Sequence, residues 1–110
     1  MSGRPRLETL NQDNCLVDII FQHKGKENAI GTQELVRALR ERGYKVKAEY
    51  IHGVVTRVVL SRKLPICAVS HSGYYWATSK QDLQSCIDEL QSKVQALQGR
   101  IDLLKSFIVN

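Results

Sequence analysis

The sequence predicts a mostly α-helical α+β fold: a small domain of three helices closed by a β-hairpin, then one long C-terminal helix of coiled-coil character. Three observations carry this. Apolar residues recur at helical spacing in three stretches between residues 12 and 62. Two short runs rich in β-formers flank Ser70-His71-Ser72-Gly73. Eight aliphatic residues from Leu83 to Ile108 then alternate steps of four and three without a break. The 110 residues give room for one domain plus an extended element, and 43% apolar with 25% charged residues is a globular composition.

Taken in order, residues 1–11 carry Gly3, Pro5 and two arginines without periodicity and read as a flexible leader. From Gln12 to His23, residues Cys15, Leu16, Ile19 and Ile20 fall on one helix face, and Gly25 supplies the stop. Ala29-Ile30 has the character of a very short strand, and Thr32 is placed to cap the next helix. That helix runs from Gln33 to Arg42 with Leu35, Val36 and Leu39 inward, and Gly43-Tyr44 ends it. Residues 47–62 combine valines of strand propensity with helical spacing. Ile51, Val54, Val55, Val58 and Val59 sit at i, i+3, i+4, i+7 and i+8, whereas strict alternation fails at both Val-Val pairs, so periodicity predicts a third helix. After Pro65, the runs Ile66–Val69 and Tyr74–Ala77 around a four-residue loop ending in Gly73 predict a hairpin. Helix, helix, helix, hairpin is the element order of a winged helix-turn-helix domain, here residues 12–78.

Residues 79–110 form the remaining unit. Ser79 with Asp82 three residues on resembles a capping box opening a helix from Lys80 to Ile108, about 43 Å long at 1.5 Å per residue. With Leu83 at d, every d position is Leu (83, 90, 97, 104) and the a positions are Ile87, Val94, Ile101 and Ile108. That choice favours two parallel strands. The flanking positions hold Gln84, Gln91, Gln98 and Lys105 on one side and Cys86, Lys93, Arg100 and Phe107 on the other. No Glu–Lys pairing fixes orientation, so an antiparallel pair stays open. The first turns, around Leu83 and Ile87, are expected to pack on the domain. The expectation beyond them is a homodimer through Leu90, Val94, Leu97, Ile101, Leu104 and Ile108; the alternative is a helix folded back on its own domain.

The net charge of +5 is unevenly placed. Residues 1–34 carry 4 basic and 5 acidic side chains, 35–65 carry 8 and 2, 66–78 none, and 79–110 carry 4 of each. The basic surplus therefore falls on helix 2, the following turn and helix 3, the elements that face the major groove in a helix-turn-helix. Double-stranded DNA is the expected partner, and the candidate contacts are Arg37, Arg40, Lys45, Lys47, Tyr50, His52, Arg57, Arg62, Lys63 and, at the hairpin tip, His71. Lys24 and Lys26 are placed to brace the backbone. A solvated charged face is the ordinary alternative.

Other classes find little support. Cys15, Cys67 and Cys86 are an odd number with no C-x-x-C pair, which argues against a disulfide framework or a cysteine-rich zinc site. No nucleophile–base pair, carboxylate pair or glycine-rich phosphate loop stands out, so no catalysis, metal or cofactor is expected. No apolar run approaches the roughly 18 residues of a membrane span, and a cytoplasmic, membrane-free protein is the expectation.

Leu64-Pro65-Ile66-Cys67 followed by Ser72-Gly73-Tyr74-Tyr75-Trp76-Ala77-Thr78-Ser79 and a long charged helix resembles a family of small phage and prophage winged-helix DNA-binding proteins. The resemblance covers residues 13–108 and implies DNA binding in phage replication or transcriptional regulation, within the host cytoplasm. One departure stands beside it. Where that family opens the recognition helix with Ser or Asp after a short polar turn, this chain has Gly43-Tyr44-Lys45-Val46-Lys47-Ala48. The departure leaves a second reading open, a protein-interaction module that inhibits a host factor on the same scaffold.

Overall fold

The computed structural model describes residues 7–70 and 73–108. The chain is mostly helical, with one two-stranded antiparallel sheet and a long C-terminal helix: α1 (Leu7–Phe21), a 3-10 turn (Lys26–Asn28), α2 (Thr32–Glu41), α3 (Ala48–Arg62), β1 (Ile66–Val69), β2 (Gly73–Trp76) and α4 (Lys80–Ser106). Among the described residues no helix is long and apolar enough to cross a membrane.

Helix α1 begins at Leu7, not at Gln12, so residues 7–11 do not belong to a leader. The apolar stripe marks only the buried part of this helix. Leu7 and Leu10 precede it and are exposed, Glu8 in the first turn complements the helix dipole, and no helix breaker intervenes before Gly25. Cys15, Leu16, Ile19 and Ile20 are buried as expected. Helix α2 starts one residue earlier than predicted, with Gly31 at the cap and no side-chain cap bond, so Thr32 does not cap it. In α3, Ile51, Val55 and Val58 are buried against α1 and α2, and helical spacing prevails over the valines' strand propensity. Lys63 ends α3 in the left-handed region with φ 57°.

The hairpin pairs Ile66 with Trp76 and Val69 with Gly73; Ala77, expected in the second strand, lies just past it and donates its N–H to the Pro65 carbonyl at 2.8 Å. The Ala29-Ile30 stub is a single bridge on the other side of β2, with Ile30 N–H to the Tyr74 carbonyl at 2.8 Å and Tyr74 N–H to the Ile30 carbonyl at 2.9 Å. The close approach requires Gly73, whose φ is 113° and where any Cβ would overlap the Ile30 carbonyl. β1 is therefore the outer strand. The inner face of the hairpin, with Ile66 and Tyr74, closes the helical core, and the outer face forms a smaller cluster of Cys67, Tyr75 and Ala77 under α4.

Helix α4 opens as the sequence predicts. The Ser79 hydroxyl accepts from Asp82 N–H at 3.0 Å, and the Asp82 carboxylate accepts from Thr78 N–H at 3.1 Å. Two further bonds hold its first turns: the Tyr75 hydroxyl donates to the Asp82 carbonyl at 3.2 Å, and the Lys26 ammonium to the Ser85 hydroxyl at 2.9 Å. The side of α4 turned to the domain carries Asp82, Ser85, Cys86 and Glu89, all half-buried. Leu83 and Ile87, expected to pack there, are instead 43% and 45% exposed. The Tyr75–Asp82 and Lys26–Ser85 bonds and the packing of Cys86 on the Cys67, Tyr75 and Ala77 cluster fix this flank of α4 on the hairpin, and the aliphatic seam is left turned outward. From Gln91 onward every described residue is exposed, and the chain measures 56 Å in its longest direction.

Candidate nucleic-acid interface and pairing helix

The predicted cationic contacts separate into two groups. Arg57 on α3, although half exposed, is already engaged within the chain. Its guanidinium donates to both carboxylate oxygens of Asp13 on α1, at 2.9 and 2.8 Å, and Asp13 is a buried charged residue with a side chain only 3% exposed. The carboxylate raises the Arg57 pKa above its usual value. A buried carboxylate needs such a two-pronged partner, so Arg57 fastens α3 to α1. Arg62 behaves likewise, donating to the Asn14 side-chain oxygen at 2.8 Å. Asp13 and Asn14 appear as ordinary polar helix residues in the sequence, and the only signal for their role is that they flank the buried stripe.

The second group is available to a ligand. Arg37 and Arg40 on α2, Lys45 and Lys47 in the turn before α3, and Lys63 at its end are exposed and make no hydrogen bond or ion pair among the described residues. Arg42 lies beside them, with its guanidinium at 3.8 Å from the Cys15 sulfur. Tyr50, in the first turn of α3, is 60% exposed. Helix α2 and the turn after it thus carry four unengaged cations, two of them, Lys45 and Lys47, within five residues of the exposed Tyr50 ring in the first turn of α3. Phosphate groups and base edges are ligands that suit such a set.

His52 stands apart from that group. Its Nδ1 is 3.5 Å from the Tyr74 hydroxyl, and it borders a shallow cavity of about 570 Å³ with Gly31, Val69 and Lys93. Lys24 and Lys26 have neighbours within the chain: the Lys24 ammonium lies 4.1 Å from the centre of the Phe21 ring, and Lys26 is bonded to Ser85. His71 at the hairpin tip lies outside the described residues. The outward stripe of α3 between Arg57 and His52 is Glu49, Gly53, Thr56 and Leu60, which contains no cation.

Burial pushes the Cys67 thiol up to about 12, with the neighbouring Cys86 adding to the rise, so Cys67 is a protonated core thiol at neutral pH. Burial likewise raises Tyr74 and Tyr75. No group of three or more metal-ligating side chains occurs among the described residues.

The aliphatic seam of α4 is the second feature. Leu90, Val94, Leu97, Ile101, Leu104 and Ile108 lie on one stripe of α4 and its C-terminal end, 44% to 77% exposed. The fold-back alternative is not what this chain adopts. No family model matches the sequence, and neither a curated protein nor a solved structure matches it.

Proposed function

We propose that this chain is a non-catalytic, dimeric winged-helix DNA-binding protein acting in replication or transcriptional regulation. The observation that carries the reading is the run of exposed, unengaged cations Arg37, Arg40, Lys45 and Lys47 on α2 and the turn that leads into the exposed Tyr50 at the start of α3. The order of three helices, a two-stranded antiparallel hairpin and a long helix supports the winged-helix assignment. In this reading the α2–α3 turn contacts phosphates, Lys47, Glu49 and Tyr50 approach base edges, and Arg57 and Arg62 hold the helix that presents them. The seam of α4 pairs two copies, so that two domains meet two half-sites.

Fluorescence anisotropy of a labelled mixed-sequence duplex, at about 50 and 200 mM salt, tests this. Binding that weakens steeply with salt, and falls at least about tenfold when Lys45 and Lys47 are both changed to Glu, is the expected result. Absence of binding at the lower salt overturns it. One observation favours a second reading, a protein-interaction module: the outward stripe of α3 lacks cations and ends in the exposed Leu60. That reading predicts negligible DNA affinity, with K45E/K47E left without effect.

A further inference from the structure

Leu60 is a large apolar side chain that its own domain leaves unused. It is 73% exposed, and it lines a groove of about 270 Å³ between α3 and α4, bordered by β1. Val55 and Val59 extend the α3 wall; Cys86, Leu90 and Lys93 stand on the α4 side. Leu90 belongs to the groove and is also a d position of the heptad seam, so groove and seam form one continuous apolar surface.

We infer that the α4 helix of a second copy seats against this whole surface, packing on the seam at Leu83, Ile87 and Leu90 and, at its flank, on Leu60 and Val59 of α3. The inference rests on the dimeric reading above and adds the domain itself to the pairing surface. Three arguments select a second copy as the occupant. A 3.5-residue repeat with β-branched residues at a and Leu at d is complementary to another helix of the same repeat, and this chain carries one. Eight seam residues, each roughly half exposed, are on the order of the ~800 Å² per partner that a stable pair buries. A helix lying on an a/d seam at a spacing of about 8–10 Å also spreads over the flanking positions. Here one flank, Cys86 and Lys93, is the side that borders the groove. The chain's own α4 cannot close the gap, because the Tyr75–Asp82 bond and the packing of Cys86 on the Cys67 cluster hold its base on the hairpin.

Sedimentation equilibrium of the full chain tests this, with Leu60→Glu as the variant, Leu60→Met as the conservative one and Leu103→Glu as an exposed control off the seam. The expected result is a dimeric wild type whose dissociation constant rises about tenfold or more in L60E, and stays within about threefold of wild type in L60M and L103E. Circular dichroism checks that L60E keeps its helices. Independently, a photoreactive benzoylphenylalanine in place of Leu60 is expected to yield a covalent dimer cross-linked to the partner's α4. A dimeric wild type with unchanged L60E and no cross-linked dimer overturns the inference and leaves the seam dimer standing. A wild type that sediments as a monomer at about 100 µM, a concentration at which a pair tighter than ~10 µM would be mostly associated, overturns the dimeric reading and this inference with it.

Discussion

Helices α3 and α4 carry the same kind of apolar stripe and meet opposite surroundings. In α3, Ile51, Val55 and Val58 are buried by α1, α2 and the hairpin; in α4, the seam residues of equal apolarity from Leu83 to Ile108 remain 43% to 77% exposed. Periodicity therefore identifies which face of a helix seeks cover and says nothing about what supplies it. For α3 the supplier is local and comes from the same domain. For α4 the domain is too small, and its contact surface is already taken by the polar flank of Asp82, Ser85, Cys86 and Glu89.

The contrast can be broken most forcefully with one substitution made in each region. Leu35→Ala, in the fully buried part of the core, is expected to lower the unfolding free energy of the domain by about 3 kcal/mol in urea titration. The same change at Leu97 should alter that quantity by less than about 0.5 kcal/mol, and act instead on the concentration dependence of the sedimenting mass. Equal losses at the two sites would contradict the division.

Next in size is the ion pair. Arg57→Ala leaves the buried Asp13 carboxylate without its partner and is expected to cost about 2 kcal/mol, measured by the same titration. Arg40→Ala, a neighbouring but unengaged cation, should leave stability within about 0.5 kcal/mol and lower only affinity for DNA. If the two behave alike, the separation of fastening from contacting arginines fails.

A smaller shift is expected from pH. Cys67 is raised in the folded chain from 9.0 to about 12, so its contribution to stability is complete below pH 9 and is lost as pH rises from there toward 12. The urea midpoint should fall on moving from about pH 8 to pH 10.5, and fall less in Cys67→Ala, where only the buried tyrosines still oppose ionisation. A midpoint that falls equally in both would place the alkaline sensitivity elsewhere. The mildest effect belongs to the junction of the two regions: Ser79→Ala removes the cap of α4 and should reduce its helicity with a loss of about 1 kcal/mol, followed by circular dichroism under urea.

Residue by residue, local order determines what the sequence shows about this chain. The α3 stripe, the Ser79–Asp82 start and the aliphatic stripe from Leu83 all rest on neighbours within a few positions and stand in the structure as local features, whereas Gly73, read as the end of the hairpin loop, instead opens β2 opposite Val69. The early start of α1 was not legible, because its first turns bury nothing and so leave no periodic mark. The same limit applied to the candidate site. Arg57 and Arg62 looked equivalent to Lys47, since nothing near them in the chain announces Asp13 and Asn14, which lie 44 and 48 residues away.

The run of helices and hairpin, the excess of positive charge in residues 35–65 and the long aliphatic seam are thus properties of local residue order. Which cations remain unengaged, and which flank of α4 the domain takes, follow from the packing of the folded chain. Those outcomes depend on side chains brought together by packing between distant segments, where a buried carboxylate must find its counter-charge and the Tyr75 hydroxyl and Lys26 ammonium find their partners on one flank of α4.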